Sequence, residues 1–407
     1  MPRTRLAPVL LALTLAGPSS GAAVTGKDRL AVDPNDPRLL ARPELKARLA
    51  ASPHGYFRFV NTAFAAAACD ALIDLVDEFP DVNLHGDAHV EQYTVTSQGR
   101  GLSDFDDCTQ GKPVIDLVRF GTSLILAARE RGWDDDAGRI VNEFLRGYLD
   151  ALEKPGRVVQ KPSLYWEILK GFRRDHAVAL REAHELIDAA PVPADSFADT
   201  VAQFAGIIRF GRDDLPPHFF EIKRVGALSM GVGSALDEKY LLLLEGWTEA
   251  DGDDVIVEAK QIRDLTGNPC LRTDVGGSRI LAGEELIAYE PFAFSAVVPR
   301  GEKYFWIHDW TDDYQEASIA DVLRSAEDLE EIAYDAGVQL GRAHPKRPDR
   351  SPDVERQHAT HDAVERHQAR IRAAMYALAD RTEAAWRAFV EANGRSSDGG
   401  APVRDGP

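Results

Sequence analysis

Cysteine is scarce in this chain of 407 residues: only Cys69, Cys108 and Cys270 occur, none of them in Cys-x-x-Cys spacing. Three cysteines exclude a disulfide framework. One bridge between two of them stays open, and the sequence does not choose the pair. Cys69, inside an alanine-rich helical run, reads as a small core residue. Positive charge is also short. The 47 basic and 66 acidic residues leave a net charge of −19, which argues against nucleic acid or an anionic membrane as the main partner. No apolar run has the length of a membrane span, and no internal repeat stands out.

What is present is ordinary globular composition, 44% hydrophobic and 28% charged, enough for one large bilobal domain or two smaller ones. Arg3 and Arg5 precede a short apolar run from Leu6 to Gly17, followed by Ser19, Ser20, Gly21, Ala22 and Ala23. This is the layout of a signal peptide over residues 1–22. The expectation is therefore export, to periplasm or medium, with no integral membrane segment after cleavage.

The rest divides by pattern. Residues 23–43, rich in Pro, Asp and Arg, read as an exposed leader. Residues 44–195 read as a helical lobe, with Leu45, Leu49, Tyr56, Val60, Phe64 and Leu72 at core positions and a buried helix carrying Leu117, Phe120, Leu124 and Ala127. Residues 196–310 are strand-like, with glycine and Asp-Gly turns. Alternation there puts Ile256, Glu258 and Lys260 on one face. Residues 311–393 return to helix, and 394–407 read as a disordered tail. The class is α+β.

The chemistry gathers in residues 84 to 116, LHGDAHVEQYTVTSQGRGLSDFDDCTQGKPVID. His85, Asp87 and His89 sit on one turn, and Asp104, Asp106 and Asp107 on a second. So many anions repel one another unless a cation offsets them. Paired acidic turns are what phosphoryl transfer needs, one carboxylate orienting a hydroxyl and another holding Mg²⁺. Far along the chain, Gly231, Gly233 and Ser234 form a turn between strands, suited to bringing backbone N–H groups to phosphates. Lys260 follows on the next strand, and Glu284 or Glu285 on a helical stretch would pair with it. Asp116 would cap the helix that follows it, and His344, at a helix end, reads as structural. His358, His361 and His367 read as a solvated helix face, and the segment Trp306 to Asp313 is a candidate pocket wall.

HGDAHVEQ and SDFDD resemble the HGDxHxxN and DFDD motifs of aminoglycoside phosphotransferases and related small-molecule kinases. More closely, the blocks RLAASPHGYFRF, HGDAHVEQ, SDFDD, GVGSALDEKYLLLLEG, VEAKQI and LGRAHPK, over about residues 45 to 346, resemble an uncharacterised bacterial family known as domain of unknown function 2252. The kinase resemblance implies a bilobal protein-kinase-like fold in circularly permuted order, with ATP and Mg²⁺ as cofactors and a small hydroxylated molecule or a protein as substrate. It implies that Asp87 orients or deprotonates the acceptor hydroxyl and that Asp104, with Asp106 and Gln92, holds the metal. Lys260, Gly231, Gly233 and Ser234 would take the phosphates. Gln92 stands where those kinases have Asn, and Leu236 where the bacterial family carries a third glycine. Two other functions fit the residues. One is an exported metal-dependent hydrolase with His85, Asp87, His89, Asp104 and Asp106 as ligands, which suits a compartment poor in ATP. The other is a non-catalytic nucleotide-binding relative.

Overall fold

The computed structural model describes residues 28–397 apart from 211, 266 and 273–276. The expected signal peptide and residues 398–407 of the expected tail lie outside them; residues 394–397 continue a helix. The fold is α+β, and no described helix is long and apolar enough to cross a membrane.

The helical half is organised by Val114–Glu130, in which every residue from Val114 to Ala128 is buried. A helix covered on every side needs neighbours all round it, and its buried Asp116 and Arg119 need partners within the fold. Ala137–Glu153, Ala326–Ala343 and the 44-residue Val354–Ser397 close around it. Two of these approach at backbone distance. A Cβ on Gly147 would lie 2.2 Å from the Tyr334 carbonyl oxygen, and one on Gly337 2.2 Å from that of Phe144. Only glycine permits that crossing.

The other half is a six-stranded antiparallel sheet. Its strands run Ser295–Arg300, Lys303–Asp309, Val255–Gln261, Lys239–Leu244, Ile222–Ala227 and Pro191–Val192 across the sheet. The run of residues 241 to 244, all leucine, is buried because both faces are covered. Ala198–Arg209 packs on one face through Val201 and Phe204, and His176–Ala189 on the other through Leu180 and Ile187. The helix His176–Ala189 and the strand Pro191–Val192 thus belong with the sheet, although the sequence groups them with the helical lobe.

Two small sheets stitch the halves together. Leu271–Arg272 pairs with Thr109–Gly111, and Tyr314–Glu316 pairs with Tyr93–Thr96. Beside the first lies a disulfide between Cys69 and Cys270. Cys69 is buried as expected, but as half of a cross-link, and Cys108 is the free, buried thiol. Of the expected exposed leader, residues 28–43 are described; most are exposed, but two leucines pin the segment to the helical half. Leu30 and Leu39 are fully or almost fully buried, and Tyr56 donates a 2.6 Å hydrogen bond to the Leu30 carbonyl.

The Cys69–Cys270 bridge spans 201 residues. Constraining so long a loop in the unfolded chain stabilises a fold by about 2–5 kcal/mol. Cys69→Ala with Cys270→Ala is expected to lower the urea midpoint accordingly, and dithiothreitol to reproduce the loss in the wild type. Equal midpoints for oxidised wild type and double variant would contradict this.

Candidate functional site

The first acidic turn is built from its backbone. Strand Val82–Leu84 ends at His85, and the chain reverses at Gly86 with φ +81°. Asp116 holds the reversal: its carboxylate accepts from His85 N at 2.7 Å and from Gly86 N at 2.8 Å. This corrects the expected helix cap, because Asp116 reaches away from its own helix to the neighbouring turn. His344, read from the sequence as structural, is fully buried, faces the same carboxylate at 3.2 Å and meets the Tyr148 hydroxyl at 2.7 Å. A Cβ on Gly86 would lie 2.1 Å from the Asp107 carbonyl oxygen, so the two acidic turns pack directly on each other.

That packing places three carboxylates together. Asp104 opens the second turn in the left-handed region, φ +61°, costly for a residue with a Cβ. Its Oδ1 meets Lys260 Nζ at 2.6 Å across 156 residues of chain. Burial opposes its ionisation, and Lys260 overrides burial, holding the carboxyl well below its usual range. Asp106 is pushed well above its usual range by burial and then by Asp104 and Asp107. Asp107 accepts from Asn61 at 2.8 Å and Arg263 at 3.0 Å, and its other oxygen has no partner among the described residues. Neither Asp106 nor Asp107 caps the next helix.

Asp87 projects into the same space. Arg119, buried under Phe57 at 4.2 Å, donates to Asp87 Oδ1 at 2.6 Å. Burial, against the pull of Arg119, pushes Asp87 up to about 7. The glycine turn arrives opposite: a Cβ on Gly233 would sit 3.4 Å from Asp87 Oδ2. A cleft of about 290 Å³ is lined by Asp87, Asp104, Asp106, Lys260 and the turn Gly231–Val232–Gly233–Ser234. Of the segment Trp306 to Asp313, Trp306 and residues 308–312 line one wall of it.

Other expectations are corrected. Glu284 does not pair with Lys260; its carboxylate accepts from Phe292 N at 2.8 Å and Ser295 Oγ at 2.5 Å. Glu285 pairs instead with Arg350. The helix Ser278–Ile287 supports the acidic turn through Arg279, which donates to the Asp106 carbonyl at 2.9 Å. Gln92 turns its amide nitrogen, not its oxygen, to Asp104 at 3.3 Å. His85 uses both ring nitrogens locally, with Ser103 O at 2.8 Å and Asp87 N at 3.3 Å, so it cannot converge with His89 on a metal. His89 makes no loop bond through Nδ1 and lies in the cleft wall. Among the described residues, no three His, Cys, Asp or Glu side chains are arranged to hold a metal ion. The donors that do face the cleft suit Mg²⁺, which needs one or two carboxylates and completes its shell with water and phosphate.

Sequence reasoning missed Arg58, Lys239 and Arg263, which line the cleft. Arg58 is held by Glu91 at 2.7 Å, and Arg263 by Asp107 and Asp237. Arg58 and Lys239 lie inside the blocks RLAASPHGYFRF and GVGSALDEKYLLLLEG, but only the fold turns them inward. Under Arg58 lies His54, buried and pushed down to about 4, foremost by burial, with Glu91 opposing and Arg58 and Arg119 adding to the effect. The unfolded chain binds this proton near pH 6.5. The resulting stability is present above pH 6.5 and is lost as pH falls toward 4, by roughly 2–3 kcal/mol. In urea melts at pH 7 and 4.5, His54→Gln is expected to show a smaller difference than wild type. An unchanged difference would count against it.

The sequence profile of a family described as an uncharacterized protein conserved in bacteria, DUF2252, matches residues 38–190 and 170–392. No curated protein matches the chain, and no solved structure does. The matched segments cover both halves of the molecule and every residue of the cleft, and the chain belongs to this bacterial family.

Proposed function

We propose that the protein is a kinase-like phosphotransferase that uses Mg-ATP to phosphorylate a hydroxyl group on a small molecule or a protein, on a bilobal kinase-like fold in permuted order. The observation that carries the reading is the 2.6 Å Lys260–Asp104 contact, which joins the strand bearing the lysine to the acidic turn within one cleft. Supporting it, the glycine turn joins the strands Ile222–Ala227 and Lys239–Leu244, the lysine lies on the next strand, and a helix follows. That is the order in which protein kinases use a glycine-rich loop and a strand lysine to hold phosphates.

Mg²⁺, when bound, offsets the charge of the phosphate oxygens. The remaining roles fall to the chain. Asp104 and Asp106 are the carboxylates that would hold the ion, and Lys260 is the cation placed to meet phosphate oxygens. The backbone of Gly231 and Gly233 approaches without side chains in the way. Asp87, with Arg119 fixing one oxygen and the other facing the cleft, accepts the proton of the attacking hydroxyl. Export to an oxidising compartment is part of the proposal, and the Cys69–Cys270 bridge supports it, since such bonds are rare in the cytosol.

Thermal unfolding with and without Mg-ATP tests the reading. A ligand at a hundred times its Kd adds about 2.7 kcal/mol, and this gain is expected in wild type and absent in Asp104→Ala. No gain in folded wild type would refute nucleotide binding. Because Asp87 must lose its proton to act as base and is raised to about 7, turnover is expected to climb with pH up to about 7 and level off above it. Asp87→Asn should abolish turnover while leaving the Mg-ATP shift in place.

A further inference from the structure

We infer that Lys239 is a second phosphate-binding residue and that the cleft is shaped for a linear triphosphate group, in preference to a single phosphate. The inference deepens the phosphotransferase reading and depends on it only for what carries the triphosphate.

Lys239 opens the strand Lys239–Leu244 and is the register partner of Lys260 on Val255–Gln261. Trp306 is the partner of Lys260 on the far side. The three therefore form one row across the face of the sheet that lines the cleft. Side chains directly opposite in an antiparallel pair lie about 5 Å apart at Cβ, and like charges there destabilise the sheet. Lys260 has its charge answered by Asp104 at 2.6 Å and Glu258 at 3.8 Å. Lys239 has no such answer: among the described residues no carboxylate forms an ion pair with it. Its Nζ donates to the Ser234 hydroxyl at 3.1 Å and to the Met230 carbonyl, both neutral.

Lys239 is nonetheless only 6% exposed. A buried ammonium beside a second ammonium, hydrogen-bonded only to neutral acceptors and drawn by Glu258, Asp104 and Asp106 from beyond ion-pair distance, is costly unless an anion offsets it. Its position says which anion. A Cβ on Gly231 would lie 3.1 Å from Lys239 Nζ, so the ammonium sits against the glycine turn, where φ is +80°. Lys239 and Lys260 thus present two cations side by side, one against the turn and one at the acidic end of the cleft. A single phosphate does not need both. A chain of phosphates lying along the row does, and would answer the charge that the sheet leaves open.

Calorimetric titration of the full chain tests this, using inorganic tripolyphosphate, inorganic phosphate and Mg-ATP as probes, with wild type, Lys239→Met and Lys239→Arg. Wild type should bind tripolyphosphate at least about tenfold tighter than phosphate, and Lys239→Met should lose about tenfold for tripolyphosphate. Lys239→Arg, which keeps the charge, should recover most of that loss. If Lys239→Met does not fold, the readout is acetic anhydride labelling of wild-type Lys239, which tripolyphosphate should slow. Wild-type affinity in folded Lys239→Met, no preference for tripolyphosphate over phosphate, or labelling of Lys239 that tripolyphosphate does not slow would overturn the inference. Tripolyphosphate binding that needs Lys239, without any Mg-ATP binding, supports the inference and defeats the nucleotide reading. Mg-ATP binding that ignores Lys239 does the reverse.

Discussion

The ion pair between Lys260 and Asp104 is the contact on which the cleft depends. Each partner comes from a different half of the molecule, and each would be costly alone. Asp104 is half-buried in the left-handed region beside two further carboxylates, and Lys260 is buried on a sheet face beside Lys239. Removing Asp104 leaves Lys260 as a buried charge without its nearest counter-ion, which is costly. The pair also sets the register of the halves. With the lysine strand fixed at Asp104, the glycine turn falls over Asp87 and the Trp306 row faces the acidic turn.

A second constraint holds the acidic turns in place from below. Asp116 and Asp107 both act on Gly86, one through hydrogen bonds and the other through backbone packing. Neither touches the cleft in doing so. Around them the repulsion among Asp104, Asp106 and Asp107 is met by Lys260, Arg263 and Arg279, drawn from a strand, a loop and a helix of the other half. The charged floor of the cleft is therefore also its interface. The halves cannot separate far without exposing unpaired carboxylates to one another.

Local pattern made much of this legible. The helical core positions from Leu45 to Leu72 are buried as their spacing implies, and alternation placed Glu258 and Lys260 together on one face. The HGD and DFDD turns were visible because their chemistry is concentrated in a few consecutive residues. What stayed hidden depends on distance. Glu284 carries the right charge on the right helix, yet its carboxylate is consumed by Phe292 N and Ser295, atoms whose approach no spacing rule reports. Lys239 lay in plain view beside the glycine turn, but its meaning comes from the strand register that sets it against Lys260. His176–Ala189 reads as helix, and only its packing shows that it serves the sheet. The cysteine pair was undecidable for the same reason, since Cys69 and Cys270 meet only once the halves do.

The disulfide completes this logic. Cys270 immediately precedes Leu271–Arg272, which pairs with Thr109–Gly111, and the Cys270 carbonyl accepts from Lys112 N at 3.0 Å. Thr109 in turn lies two residues beyond Asp107. The cross-link thus anchors the sheet half to the helical half within a few residues of the acidic turn, beside the ion pairs that join the two. Charge pairing positions the halves in detail, and the covalent bond limits how far they can drift when a pair is broken.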